Sequence, residues 1–335
     1  MPIIRSTFRP PAFLGNGHVQ TILPALLGRR VSLDYTRERL ELPDGDFLDL
    51  DWARAGHQRV VVISHGLEGS AADDYVRGMA ASLNAAGWDA LAWNFRGCSG
   101  EPNRLPRFYH SGETGDLGAV ISRAARDYAR IALVGFSLGG NMTLKYLGEP
   151  RVHPSIVAGI GISVPVDLAA SARVLDLHWA NGIYLWRFMR KLTAKVRAKA
   201  LRFPDQIPEV PKDNVPTFAQ FDGRYTAPLH GFRDADDYWR RSSSRQFIPR
   251  IKVPTLLINA RNDPFLAPAC YPFSEAHLNP MFYLETPRSG GHCGFLDRCG
   301  RPWAERRVVE FLISIQGIHR RAVTPRPESS PGATP

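Results

Sequence analysis

The chain has 335 residues, 44% of them hydrophobic, which is enough to bury a large core in one α/β domain carrying an insertion. Its formal charge of +10 is scattered, with no base-stacking motif beside the arginines, so the cations read as solvated surface and no nucleic-acid partner is expected. Four cysteines without a C-x-x-C pair exclude a disulfide scaffold and read as reduced thiols.

The opening stretch, MPIIRSTFRPPAFLGNG, lacks the apolar core and small-residue cleavage site of a signal peptide, and no apolar run is long enough to span a bilayer. A cytoplasmic location is expected. Residues 1–30 read as a segment packing on the core. RVSLDYTRERLEL and DFLDLDWA then flank PDGD, an Asp-Gly turn signal that predicts an antiparallel pair.

RVVVISHG, DALAWNF, IALVGFS, SIVAGIGISV and TLLINA follow as short apolar runs ending in polar or glycine-rich residues. DDYVRGMAASLNAAG and GDLGAVISRAARDYAR lie between them with helical spacing, so strand and helix alternate as in a mostly parallel sheet with helices on both faces. The alternation lapses between Pro165 and Pro249, which predicts a helical lid over residues 166–249, with the core formed by residues 31–165 and 250–316. The tail, 319–335, is rich in proline and small polar residues and is expected to be disordered.

IALVGFSLGGNMTLKYLGE carries the clearest chemistry. A strand runs into Gly135-Phe136-Ser137-Leu138-Gly139 and on into a helix, the context in which G-x-S-x-G lifts a serine Oγ above the sheet and aims a helix N-terminus at developing negative charge. A serine hydroxyl needs a histidine base and an acid to orient that base. Asp263 follows TLLINA and His292 follows the next strand, MFYLET, so both fall on loops at the carboxyl edge that also carries Ser137. His18, His110, His153, His178 and His230 precede Asp263, against the order Ser, acid, His; His277 lies in a predicted helix, His319 at the end, and Asp297 reads as a capping carboxylate. Ser64-His65-Gly66-Leu67-Glu68-Gly69-Ser70 comes directly after a strand, where a loop offering oxyanion donors belongs, and the donors expected are the amides of Leu67 and Leu138.

These segments, with GHVQTILP, NFRGCSGEPNRLPRFYHSGETGDL, NARNDPF and GGHCGF, resemble the YheT-like branch of the α/β-hydrolases, in the same order from about Phe8 to Ile315. The resemblance implies a serine hydrolase with the triad Ser137, Asp263 and His292, and needing no metal or organic cofactor. It also implies carboxylesterase activity on short- to medium-chain acyl esters, acyl transfer to alcohols, and phospholipid cleavage in some animal relatives. The departures are Cys293, where relatives often carry an ordinary apolar residue, and the proline-rich tail.

Outside the triad, Arg96, Gly97 and Gly100 suggest a sharp loop, Ser111, Glu113 and Asp116 a helix start, and His18 a structural hydrogen-bonding residue. On the lid, Leu185, Phe188, Met189, Leu192 and Val196 form an apolar stripe, and Arg187, Arg190, Lys191, Lys195 and Lys199 a basic surface, as on an ordinary lid helix that is apolar inside and basic outside; the alternative is that the apolar face lines an acyl channel while the basic face meets a lipid interface or an anionic substrate. The glycines Gly290 and Gly291 are expected to turn His292 toward Ser137, with Cys293 as a packing residue. An acyltransferase and a non-catalytic lipid-binding protein of the same fold are the alternatives to an esterase. The sequence carries no signal for oligomeric state.

Overall fold

A computed structural model describes residues 2–29, 31–210 and 216–323. Nine strands form one sheet: β1 (Ile3–Ile4), β2 (Thr36–Glu41), β3 (Phe47–Ala53), β4 (Val60–Ser64), β5 (Asp89–Trp93), β6 (Ile131–Phe136), β7 (Ile156–Ile162), β8 (Thr255–Ile258) and β9 (Phe282–Glu285). Their order is β1-β9-β8-β7-β6-β4-β5-β3-β2. The Asp-Gly turn joins β2 to β3 as an antiparallel pair, and β3 also runs antiparallel to β5; the remaining pairings are parallel.

The central strands read as unbroken apolar runs because both sheet faces are covered. On β4, Val60 and Val62 join Leu117, Val120, Met142 and Leu144 on one side, while Val61 and Ile63 join Val76, Met79, Leu83 and Leu312 on the other. These residues come from α2 (Asp74–Ala85), α3 (Thr114–Ala124), α4 (Leu138–Leu147) and α11 (Trp303–Val323); α10 (Phe273–Leu278) adds Ala276 on the first side, while α1 (Gly17–Leu27) packs against the histidine loop. Helix α11 runs into the stretch expected to be a disordered tail, 319–335, whose residues 324–335 lie outside the described residues. Among the described residues no helix is long and apolar enough to cross a membrane.

The helical insertion between β7 and β8, the segment expected to form a lid, contains α5 (Leu168–Leu177), α6 (Gly182–Arg202), α7 (Phe218–Phe221), a π-helical turn (Asp222–Thr226), α8 (Ala227–Leu229) and α9 (Ala235–Ser242). Met189, Leu192 and Val196 of the expected stripe are buried in a small core of their own with Phe108, Phe221 and Tyr225. The expected basic surface needs correction. Arg187, Arg190 and Lys191 are exposed, but Lys195 is half-buried and Lys199 is buried, the latter donating to the carbonyl of Leu105 at 2.5 Å. The outer lid is instead strongly apolar near Leu177, Trp179, Ile183 and Trp186, with Trp179 89% exposed.

Candidate active site

Ser137 sits where β6 turns into α4, with φ 51° and ψ −117°. A non-glycine residue held there stores strain of roughly 1–3 kcal/mol. The turn is so tight that a Cβ on Gly135 would lie 2.3 Å from the carbonyl oxygen of Gly139, and one on Gly139 would lie 2.4 Å from that of His65. Glycine is therefore required on both sides of the serine, and the result is an Oγ standing at the start of α4, where unpaired N–H groups gather.

The structure brings Asp263 and His292 to this serine from the ends of β8 and β9. His292 Nε2 lies 2.9 Å from Ser137 Oγ, and His292 Nδ1 lies 2.9 and 3.1 Å from the two carboxylate oxygens of Asp263. A carboxylate only accepts, so Nδ1 carries the proton and Nε2 offers its lone pair to the serine hydroxyl. Asp263 is further fixed by the amide of Phe265, which donates to Oδ1 at 2.9 Å. Burial works against an imidazolium at His292, but the adjoining Asp263 carboxylate outweighs it and holds the pKa above the usual histidine value.

The loop after β4 passes directly beside the serine: a Cβ on Gly66 would lie 3.5 Å from that of Ser137. His65 is wholly buried, its Nδ1–H donating to the carbonyl of Gly66 at 2.7 Å while Nε2 accepts the Phe95 amide at 3.2 Å. Burial lowers its pKa to about 3, so it remains a neutral strut. Leu67 and Leu138 both line the cavity beside Ser137 and His292, and among the described residues neither amide has an acceptor within the protein. That cavity runs under the lid between largely apolar walls that include Phe188, Leu192, Phe218 and Phe221.

Residues with no mechanism in the sequence prove to hold the histidine loop. The amide of His292 donates to Thr21 Oγ1 at 2.8 Å, that of Gly291 to Asn262 Oδ1 at 3.1 Å, and that of Cys293 to Ser163 Oγ at 2.9 Å. Gln20, fully buried, donates to the carbonyls of Leu14 and Leu296 and accepts the Leu296 amide. The GHVQT stretch of α1 is thus a brace for His292, and His18 meets Tyr184 of the lid at 3.1 Å. Gly291 adopts φ 60°, and a Cβ there would strike the carbonyl of Gly17 at 2.5 Å, which fixes how closely α1 approaches the loop.

Cys293 lies among the residues packed on the sheet core, with φ 61°. Asp297 accepts the amides of Cys299 and Arg301, capping a turn. Arg96 is buried, bidentate to Asp116 and bonded to Asp44 and Asp46, so NFRGCSG and SGETGDL meet in an ion network. Glu113 precedes α3 as its N-cap but makes no side-chain capping bond.

Atoms of His110, Glu113 and His230 lie within 4.8 Å of one another. The Gly112 amide donates to His110 Nδ1 at 3.1 Å, which puts the ring proton on Nε2, facing Glu113 Oε2 at 3.4 Å. Metal binding there would require that proton to leave. Both nitrogens of His292 are likewise engaged by Asp263 and Ser137.

Residues 59–298 match the family described as the alpha/beta hydrolase fold, and with the doubly covered sheet this shows that the chain belongs to the α/β-hydrolase family, in its YheT-like branch. It is 36% identical to the candidate esterase YheT of Escherichia coli (strain K12) over 318 residues, 92% of this chain and 93% of that protein. It is 28% identical to the medium-chain fatty acid ethyl ester synthase/esterase 2 of Saccharomyces cerevisiae, over 77% of this chain and 63% of the yeast protein. Among solved structures, the esterase Pf2001 of Pyrococcus furiosus shares the fold at a TM-score of 0.59 and 20% identity, covering 93% of this chain and 99% of that one.

Proposed function

We propose that the chain is a serine carboxylic-ester hydrolase acting on short- to medium-chain acyl esters through an acyl-enzyme on Ser137. The observation that carries this reading is the unbroken relay from Asp263 through His292 to Ser137 at hydrogen-bond distance, with Ser137 and His292 lining an apolar cavity.

His292 takes the Ser137 proton as Oγ attacks the ester carbonyl, and Asp263 orients the imidazole and stabilises its cation. The amides of Leu67 and Leu138 hold the oxyanion; losing one such donor typically costs about 100- to 1000-fold in turnover. His292 then delivers the proton to the leaving alkoxide. Water, deprotonated by the same histidine, attacks the acyl-enzyme; the acyl–Oγ bond breaks, His292 returns the proton to Ser137, and the carboxylic acid leaves. These steps use only side chains and amides of the chain.

An alcohol in place of that water gives acyl transfer, a second reading favoured by the synthase/esterase name of the yeast relative. Both products follow from one acyl-enzyme, so product analysis with and without added alcohol separates them. The partner is a small-molecule acyl ester, and the exposed tryptophans of the lid favour peripheral contact with a lipid interface during catalysis. A panel of p-nitrophenyl esters of increasing acyl length, run on wild type and Ser137→Ala, tests the reading. Hydrolysis is expected to favour short to medium chains and to vanish in the variant; hydrolysis surviving in Ser137→Ala overturns the mechanism.

A further inference from the structure

The loop after β4 places the proposed oxyanion donor, Leu67, one residue before a glutamate in an uncommon conformation. The Gly69 amide donates to the carbonyl of Gly66 at 3.1 Å, closing a turn with Glu68 at its third position and φ +54°. Glycine or asparagine is the usual occupant of such a position. A glutamate persists there only if its surroundings hold it.

Four hydrogen bonds do so. The Glu68 amide donates to Tyr109 Oη at 2.9 Å, and Glu68 Oε1 accepts from Tyr109 Oη at 2.7 Å and from Lys195 Nζ at 2.7 Å. The Glu68 carbonyl accepts from Lys191 Nζ at 3.1 Å. Lys191 and Lys195 stand one turn apart on the same face of α6, so the lid helix grips both the backbone and the side chain of a single residue. The ion pair is largely removed from water, with side-chain exposures of 16% for Lys195 and 8% for Glu68. Burial opposes the Lys195 ammonium, yet its neighbours Cys98 and Glu68 keep its pKa above the usual lysine value.

We propose that Glu68 is a positioning residue for the oxyanion hole, clamped by Lys191 and Lys195 of the lid so that the Leu67 amide stays aimed at Ser137. The inference rests on the serine-hydrolase reading and adds to it a coupling between lid and chemistry. Leu192, between the two lysines, lines the acyl cavity, so one helix shapes the acyl site and fixes an oxyanion donor. Released from the clamp, Glu68 relaxes toward negative φ, the turn closed by the Gly69 amide on the Gly66 carbonyl opens, and the Gly66–Leu67 peptide that carries the Leu67 N–H is free to turn away. Substrate binding, made by the cavity walls, is left largely intact, so the loss falls on kcat rather than KM.

The test uses the full chain as wild type, Glu68→Ala, Glu68→Gln, Lys195→Met and the double variant Glu68→Ala/Lys195→Met. Each is measured with one short-chain p-nitrophenyl ester and with a trifluoromethyl ketone that binds serine as an oxyanion. Active sites are counted by fluorophosphonate labelling, which removes misfolded protein from the rates. Glu68→Ala is expected to lower kcat about 10- to 100-fold with KM changed by about twofold or less, and to weaken ketone binding by the same factor as kcat. Glu68→Gln, which accepts the same bonds, recovers most of the rate. The double variant falls no further than the worse single one, as groups in one network do. Lys199→Met, which disturbs the lid without touching the clamp, retains wild-type kcat per labelled site. Wild-type kcat and ketone affinity in Glu68→Ala, or a loss confined to KM, overturns the clamp while leaving Ser137 as nucleophile; a wild type that hydrolyses the ester without labelling at Ser137 overturns the underlying mechanism and the clamp with it.

Discussion

Replacing Thr21 with valine tests the brace that α1 lends to the histidine loop. Valine keeps the shape of threonine but removes the oxygen that accepts the His292 amide at 2.8 Å and that itself donates to the Gly17 carbonyl at 2.7 Å. A buried N–H left without an acceptor costs about 1–3 kcal/mol, and this part-buried one falls toward the lower end of that range, about 1 kcal/mol. The Gly17 carbonyl keeps its helix, so the His292 amide dominates. Spread over a domain of this size, that lowers Tm by roughly 2–4 °C per kcal/mol. The catalytic effect is expected to exceed the stability effect, because the freed loop lets His292 drift from Ser137, and a shift of about 1 Å at a reacting centre costs on the order of 100-fold. The assay pairs ester kcat/KM with a thermal melt. Thr21→Val with a lowered Tm but unchanged kcat/KM would falsify the claim that α1 positions the base.

Further predictions concern charge. Because Asp263 holds the His292 pKa above the ordinary 6.5, kcat/KM rises with pH along a limb centred above pH 6.5. Asp263→Asn moves that limb to lower pH and costs about 10⁴-fold in kcat; an unmoved limb refutes the assignment. The same raised pKa makes the pair's stabilising contribution complete below about pH 6.5, fading as pH rises through the folded value, which a pH series of melts on wild type and Asp263→Asn reads directly. Arg96→Met leaves Asp46 and Asp116 buried without their cation and is expected to destabilise by about 3–5 kcal/mol in denaturant titration, far more than Arg104→Met at an exposed pair. In liposome flotation, Trp179→Ser/Trp186→Ser is expected to lower recovery with anionic vesicles relative to wild type; equal recovery counts against lipid contact through this part of the lid.

The strands from β4 to β9 were legible because parallel strands covered on both faces become short apolar runs, and the elbow was legible because G-x-S-x-G fell between such a run and a helix. Asp263 and His292 could be placed from chain order and strand ends alone. The role of GHVQT could not, since Gln20 and Thr21 act on residues more than 270 positions away and α1 looks locally like any amphipathic helix. β1, two residues long, carries no period. Lys195 and Lys199 were misread as surface for a related reason: helical spacing shows which residues share a face of α6, but not that Glu68 and the carbonyl of Leu105 wait beneath it.

The most direct test of the central claim is to react the protein with a fluorophosphonate and locate the adduct by peptide mass spectrometry. The account predicts one adduct per chain, on Ser137, in step with loss of ester hydrolysis, and none in His292→Ala on the same time scale. Complete loss of hydrolysis with Ser137 unmodified, or full hydrolysis with Ser137 fully modified, would contradict it.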